Sequence, residues 1–460
     1  MAKRLSPSDM IFLYSESREV MNHVGGLLPF TPPEDAPPDW MRTLVDEIRQ
    51  DRKLFPPWNL KLKNPDFIRA PVQHWVEDDH IDIDYHVRRS ALPSPGDERE
   101  LGVLVSRLHG NPIDFHHPPW ETHFIERLEG GRFAIYTKMH HALIDGFTGM
   151  RLLQKSLSTD PSVRDTPLFF AQHHPMKVKA AAAEGDSGPW AVVREQLDAA
   201  RDVGNVLRDL WRSVRDREED VVGPLQAPKC ILNGRIGKNR RFATQRYSLE
   251  HVKALAKAAG GTLNDIVLAL CAGTLRRFLM ELRELPDRPL VAMIPVNIRP
   301  RDDPGGGNAV GSILASLATD IDDPMKRLDA IMNSTRRAKE QLQGLSRSAI
   351  LQYSAVMLLP SGLQHLTGTG GRVRPQFNVV ISNVPGPEQP LYFRGARLEA
   401  VYPLSIPIHG QALNITCQSY AGTLDFGFTG CRDTLPRMQR LAVYIGETLN
   451  QLSVALNVQP

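Results

Sequence analysis

The residues best suited to chemistry lie in one short run, His140-His141-Ala142-Leu143-Ile144-Asp145-Gly146. An imidazole titrates near neutral pH and can take the proton from an alcohol, which is a poor nucleophile while it keeps that proton. Neighbouring side chains at a strand end point to opposite sides, so one imidazole can face a cleft while the other faces the core. Asp145 falls in the turn beyond, where a carboxylate can accept backbone N–H groups or meet a cation. Gly146 permits a tight backbone at that turn. Two further pairs, His116-His117 and His173-His174, lack the Asp-Gly completion. On spacing alone three other readings stay open: structural histidines, metal ligands shared with Asp145, or a chance match.

The elements that must position this run read as mixed α/β. The segments 120–128 and 133–139 form two strands joined by the turn Glu129-Gly130-Gly131, and the second leads straight into His140. The alternation over 80–87 predicts another strand, and helices are expected over 40–48 and 99–108. In the second half, a helix over 249–259 stops at Gly260-Gly261, and Thr262 caps a longer one with Asp265 in its first turn. Strands follow over 290–297, 312–319, 377–382, 412–419 and 423–428. Helices are expected over 324–342 and 435–452, and the segment 351–366 is expected to break at Pro360. Between 160 and 240, Pro, Ala, Gly and charged residues dominate, around one apolar stripe over 190–214 with Trp190 and Trp211 near its ends. The expected division is an N-terminal domain over 1–160, a connector with a docked amphipathic helix over 161–240, and a C-terminal domain over 241–460.

Composition narrows the function classes. Of 460 residues, 42% are hydrophobic and 23% charged, and the net charge is only +3, which argues against a nucleic-acid partner. The cluster Lys238, Arg240 and Arg241 reads as a solvated face. The four cysteines form no CxxC pair, and buried free thiols in a reducing compartment are the simplest account. No signal peptide and no 18-residue apolar run is legible, so a cytoplasmic location with peripheral membrane contact is expected.

Several ordered motifs then carry a resemblance. These are Leu5-Ser6-Pro7 with Asp9, His23-Val24-Gly25, Pro118-Pro119-Trp120, HHxxxDG, Asn264-Asp265, Pro295-Val296-Asn297-Ile298-Arg299-Pro300, Ser382-Asn383-Val384-Pro385-Gly386-Pro387 and Phe426-Gly427-Phe428. Over nearly its whole length the chain resembles the bacterial wax ester synthase/acyl-CoA:diacylglycerol acyltransferases of the chloramphenicol acetyltransferase-like superfamily, with the marine hydrocarbon-degrading members as the expected nearest kin. Pro118-Pro119-Trp120 departs from the family's Pro-Leu-Trp.

The resemblance implies an α/β fold of two chloramphenicol acetyltransferase-like domains, each with a mixed sheet and flanking helices, and an active site at their interface. It implies acyl-CoA as co-substrate, a long-chain alcohol or diacylglycerol as acceptor, and no permanently bound cofactor or metal. His141 would be the general base and Asn264 a donor to the oxyanion. His140, Asp145, Gly146, Arg299 and Asp265 would support them, with Asp145 and Arg299 as an ion pair behind the loop. Trp120, Ala355, Gly362, Ser382 and Asn383 are the candidates for the substrate channel. A location at the inner membrane or on lipid inclusions follows from the substrates. Two other classes share the fold: amide-forming condensation enzymes that use carrier-bound acyl groups, and non-catalytic lipid-binding proteins.

Overall fold

The computed structural model describes residues 3–5, 7–50, 53–67, 69–70, 73–144, 146–171, 226–297, 310–342 and 347–459. Among them two mixed sheets organise the chain. The first has seven strands. Its path is β12 (Tyr392–Phe393), β13 (Ala396–Leu398), β2 (His23–Thr31), β7 (Phe133–His140), β6 (Trp120–Glu126) and β5 (Val87–Ala91), and β14 (Tyr402–Leu404) also pairs with β2. The second has six: β10 (Val310–Ser316), β9 (Val291–Asn297), β11 (Val379–Val384), β15 (Leu413–Tyr420), β16 (Thr423–Cys431) and β8 (Arg240–Ser248). A small third sheet joins β1 (Lys3–Arg4), β4 (His74–Glu77) and β3 (Leu60–Leu62).

β12, β13 and β14 come from the second half of the chain but complete the first sheet. A cut of the sequence at residue 240 therefore does not separate the two sheets. The halves also share a core. Leu101, Leu104 and Val105 of helix Glu98–His109 pack in one cluster with Leu27, Tyr136, Phe242 and Leu404, the last two contributed by β8 and β14. The expected helix over 190–214 lies outside the described residues.

Local chemistry explains most elements. Helix Leu263–Glu281 opens with a reciprocal capping box: Asp265 N–H bonds Thr262, and the Asp265 carboxylate accepts from the Thr262 N–H at 2.8 Å. Gly260 ends the preceding helix, Leu249–Ala258, with φ +65. Two expectations fail. The alternating run 80–87 is not a strand, because Asp82 accepts from the N–H groups of Asp84 and Tyr85 and so caps the short helix Ile83–His86. Only from Val87 does the chain extend. Pro360 does not break its segment: helix Arg347–Leu366 runs through it.

Behind the first sheet lies a buried polar stack. The Tyr136 hydroxyl donates to His109 Nδ1 at 2.8 Å, which leaves Nε2–H to donate to the Ser405 carbonyl at 3.1 Å. His23 Nε2–H in turn donates to the His109 carbonyl at 2.9 Å. Lys138, fully buried, gives its protons to the carbonyls of Leu108 and Asn111 and lies 3.4 Å from Glu121. Burial holds His109 down to about 3. Its folded-state pKa thus lies below the unfolded value near 6.5, and at acid pH the unfolded chain binds a proton that the folded chain refuses. This contribution is complete above about pH 6.5 and is lost as pH falls toward 3. His109→Gln is expected to flatten that loss, as read from denaturation midpoints across this range.

No single helix among the described residues is long and apolar enough to cross a membrane. All four cysteines are free thiols.

Candidate active site

The His pair sits where β7 ends. His23 of β2 and His140 are cross-strand partners, and Trp120 of β6 faces Met139. The His140 N–H donates to the Pro119 carbonyl, and the His141 N–H to the Asn22 carbonyl at 2.8 Å. The chain then turns, with the Leu143 N–H donating back to the His140 carbonyl, and helix Gly146–Lys155 begins. The two imidazoles part as strand geometry requires. His140 is fully buried, and His141 is half-buried, stacked on Phe12 at 4.1 Å between ring centroids.

The tautomer of His140 follows from its partners. The Ala142 N–H donates to Nδ1 at 3.1 Å, so the ring proton is on Nε2 and points at the Glu16 carboxylate, 3.3 Å away. The same Glu16 oxygen accepts the Asn22 N–H at 2.7 Å. Asn22 also donates its side-chain amide to the Phe12 carbonyl and to the Ser15 hydroxyl. One carboxylate thus fixes the inward imidazole and the backbone that holds His141.

Its loop is gripped from the second half of the chain. Arg240 donates to the Glu19 carbonyl at 2.7 Å, His409 lies 3.2 Å from the Glu19 carboxylate, and Val20 is buried in the second domain's core. Arg240 is buried, which corrects its expected place on a solvated face; burial also holds it down to about 10. Glu16→Ala removes the one acceptor of both donors. The expected result is about a tenfold fall in kcat with little change in KM for acyl-CoA, and partial recovery in Glu16→Gln, because misplacing a reacting group costs turnover more than binding. Equal kcat in all three proteins would remove Glu16 from this role. No sequence motif marks Glu16, because its partner is 124 residues away.

The other expected site residues separate. Asn264 is half-buried in the first turn of helix Leu263–Glu281, and its side chain makes no hydrogen bond to a described residue. The cap is supplied by Thr262 and Asp265 instead. Asp265 is committed further, accepting the Thr335 hydroxyl at 2.8 Å, so it builds the helix start and the contact with helix Pro324–Glu340. Asp145 and Arg299 lie outside the described residues. Ser382 and Asn383 are half-buried near the end of β11, paired with Thr416 and Cys417 of β15, and Asn383 accepts the Cys417 thiol at 3.5 Å.

Gly146 is not a residue that the backbone demands. Its φ is not positive, and a Cβ there would meet Val24 at an ordinary 3.8 Å. The tight approach is one turn on, where a Cβ on Gly149 would lie 2.5 Å from the Met139 sulfur.

One channel candidate is corrected. Trp120 is fully buried, its ring stacked on His86 at 4.4 Å and on Phe170 at 5.1 Å, with Nε1–H donating to the Trp58 carbonyl. No ring face is left for a substrate. Gly362 is half-buried and faces open space, because a Cβ there would meet no atom within 4 Å. Ala355 lies in the same helix, Arg347–Leu366, and its side chain is outside the described ones.

The family model for the wax ester synthase/diacylglycerol acyltransferase catalytic domain matches residues 5–267, and the model for the C-terminal domain of the same family matches residues 306–453. The chain belongs to this family. The acyltransferase is 52% identical to a Mycobacterium tuberculosis protein named, provisionally, as a diacylglycerol O-acyltransferase, over 99% of this chain and 98% of that one. It is 41% identical to the O-acyltransferase WSD of Acinetobacter baylyi, over 97% and 96% of the two chains. Among solved structures it resembles the wax ester synthase/diacylglycerol acyltransferase from Marinobacter aquaeolei, with a TM-score of 0.80 and 37% identity over 99% of this chain and 100% of that one. The mycobacterial relative is thus nearer than this marine one, against the expectation from the motifs. The first condensation domain of the CDA synthetase shares the fold, with a TM-score of 0.59 at 17% identity over 100% and 97% of the two chains.

The arrangement in this acyltransferase has one chemical consequence. A half-buried imidazole stands at a strand end on a loop that is hydrogen-bonded on both sides, so it keeps its place while a proton moves. None of the four thiols needs to act as a nucleophile. Burial pushes Cys271 up to about 12 and Cys230 up to about 11, which leaves both protonated near neutral pH.

Proposed function

We propose that the chain transfers a fatty acyl group from acyl-CoA to the hydroxyl of a long-chain alcohol or a diacylglycerol, with His141 as general base. The observation that carries this reading is the split of the His pair: His140 locked inward by Glu16, His141 left half-buried at the strand end. His141 takes the hydroxyl proton as the alcohol oxygen attacks the thioester carbonyl. The tetrahedral oxyanion collapses with cleavage of the C–S bond, and the departing thiolate receives the proton from His141. The uncommitted amide of Asn264 suits the oxyanion, and its position in the first turn of a helix adds a favourable dipole. Asp145 and Arg299 are proposed as the ion pair that steadies the loop from behind.

The names of the relatives support the acceptors: a diacylglycerol in one, and in another the long-chain alcohol whose acylation yields a wax ester. Lipid acceptors imply peripheral contact with a membrane or a lipid inclusion. Incubation with palmitoyl-CoA and either hexadecanol or a diacylglycerol, with free thiol measured, tests the reading. No thiol release with either acceptor would leave a non-catalytic lipid-binding protein. Release with amines alone would favour the condensation chemistry.

Ala355 is proposed to face the acceptor channel. Ala355→Ile is expected to shift preference toward shorter alcohols, since each methylene denied burial forfeits about 0.8 kcal/mol. Rates with a series of primary alcohols read this. A uniform fall across chain lengths would place Ala355 in the core.

A further inference from the structure

Helix Arg347–Leu366 has an outer face that no described residue covers. Val356, Leu359, Leu363 and Leu366 are 44%, 56%, 51% and 44% exposed, and their steps of three, four and three place them on one stripe. The stripe is about 15 Å long at 1.5 Å per residue. Gly362 adds open space beside it. The opposite face is anchored: Tyr353 and Met357 are buried, and the Ser354 hydroxyl accepts the Ser312 N–H of β10. This is a fixed surface that presents side chains as apolar as those its other face buries.

The chain just beyond extends the surface. Arg372, Val373 and Arg374 are all exposed, and they are tied to the end of the helix, because Gln364 donates to the Arg374 carbonyl and the Arg372 N–H donates to the Thr369 carbonyl. From 341 to 387 the sequence contains no Asp or Glu. An apolar stripe with exposed arginines just beyond its C-terminal end, on a run of sequence without carboxylates, is complementary to an anionic lipid surface, with alkyl chains below and phosphates above. A second copy of the chain fits poorly, since it would bring the same arginines against a run of sequence that offers no carboxylate to meet them.

We propose that this face, formed by helix Arg347–Leu366 and the Arg372–Arg374 segment, is the surface by which the enzyme docks on an anionic phospholipid membrane. The proposal rests on the reading of the acceptor as a long-chain lipid. It also gives that reading a geometry, because the helix that carries Ala355 is the one that meets the lipid.

Flotation with vesicles of phosphatidylcholine, with and without phosphatidylglycerol, tests it. The double variant Leu359→Glu/Leu363→Glu is expected to bind both vesicles at least about tenfold more weakly. Arg372→Gln/Arg374→Gln is expected to weaken binding only to the vesicles that contain phosphatidylglycerol, by about fivefold per arginine. The unmodified enzyme should show amide-exchange protection over 356–374 when these vesicles are added. Turnover of octanoyl-CoA with hexanol should be the same in the Leu359→Glu/Leu363→Glu variant as in the unmodified enzyme. Undiminished vesicle binding by that variant, or vesicle protection confined to other segments, would overturn the proposal. So would loss of its short-chain turnover, which would put these leucines in the active site. Failure of the unmodified enzyme to release thiol with hexadecanol would instead sink the activity reading, whatever the vesicles show.

Discussion

His141→Ala is expected to lower turnover by roughly 10²–10⁴-fold, the range for loss of a general base, while acyl-CoA binding persists. The His141 backbone N–H bonds the Asn22 carbonyl, which alanine keeps, and its ring stacks on Phe12. The loop should survive the change, because His140 and Glu16 hold it. Steady-state thiol release and equilibrium binding of a non-transferable acyl-CoA analogue separate the two effects. A variant that keeps more than about a third of the rate would eliminate His141 as the base, since such a loss is far below that range. His140→Ala tests the complementary role. It should lower turnover less, and it should also lower stability, since it leaves Glu16 without one of its two donors.

Trp120→Ala is expected to cost about 3–5 kcal/mol of stability, the usual range for an emptied aromatic core site. The side chain lies between His86 and Phe170 and meets Trp58 and Phe169 edge-on. Its removal opens a cavity and strands the Trp58 carbonyl that accepts Nε1–H. A loss of this size is a large part of the 5–15 kcal/mol that holds a typical domain together, so chemical denaturation should show a much lower midpoint. Trp120→Phe separates the core role from a channel role. In the core, it lowers the midpoint by less and leaves alcohol preference unchanged. A shift in alcohol preference at an unchanged midpoint would return Trp120 to the channel.

Much of the site was legible because its chemistry is local. The proton-accepting capacity of the His pair belongs to the residue type, and the alternation of a strand predicts that the two rings part. The cap at Thr262 and Asp265 was equally local, set by residues three apart that bond each other's backbone. The same locality misled over 80–87, where an alternating pattern suited a strand but Asp82 offered the backbone a cap instead.

The sequence by itself determined the family, the two α/β halves, the candidate His pair and the elements that lead to it. Only the tertiary structure decided what holds that imidazole. The Glu16 carboxylate reaches His140 across 124 residues, and Arg240 grips the same loop from the far half of the chain. Three short strands from the second half complete the first sheet, and long-range packing, not residue type, encloses Trp120 and leaves Leu359 exposed. Periodicity reports which faces of an element are apolar. Whether such a face meets a core, a channel or nothing at all depends on long-range packing, and residues that meet only after folding leave no spacing to read.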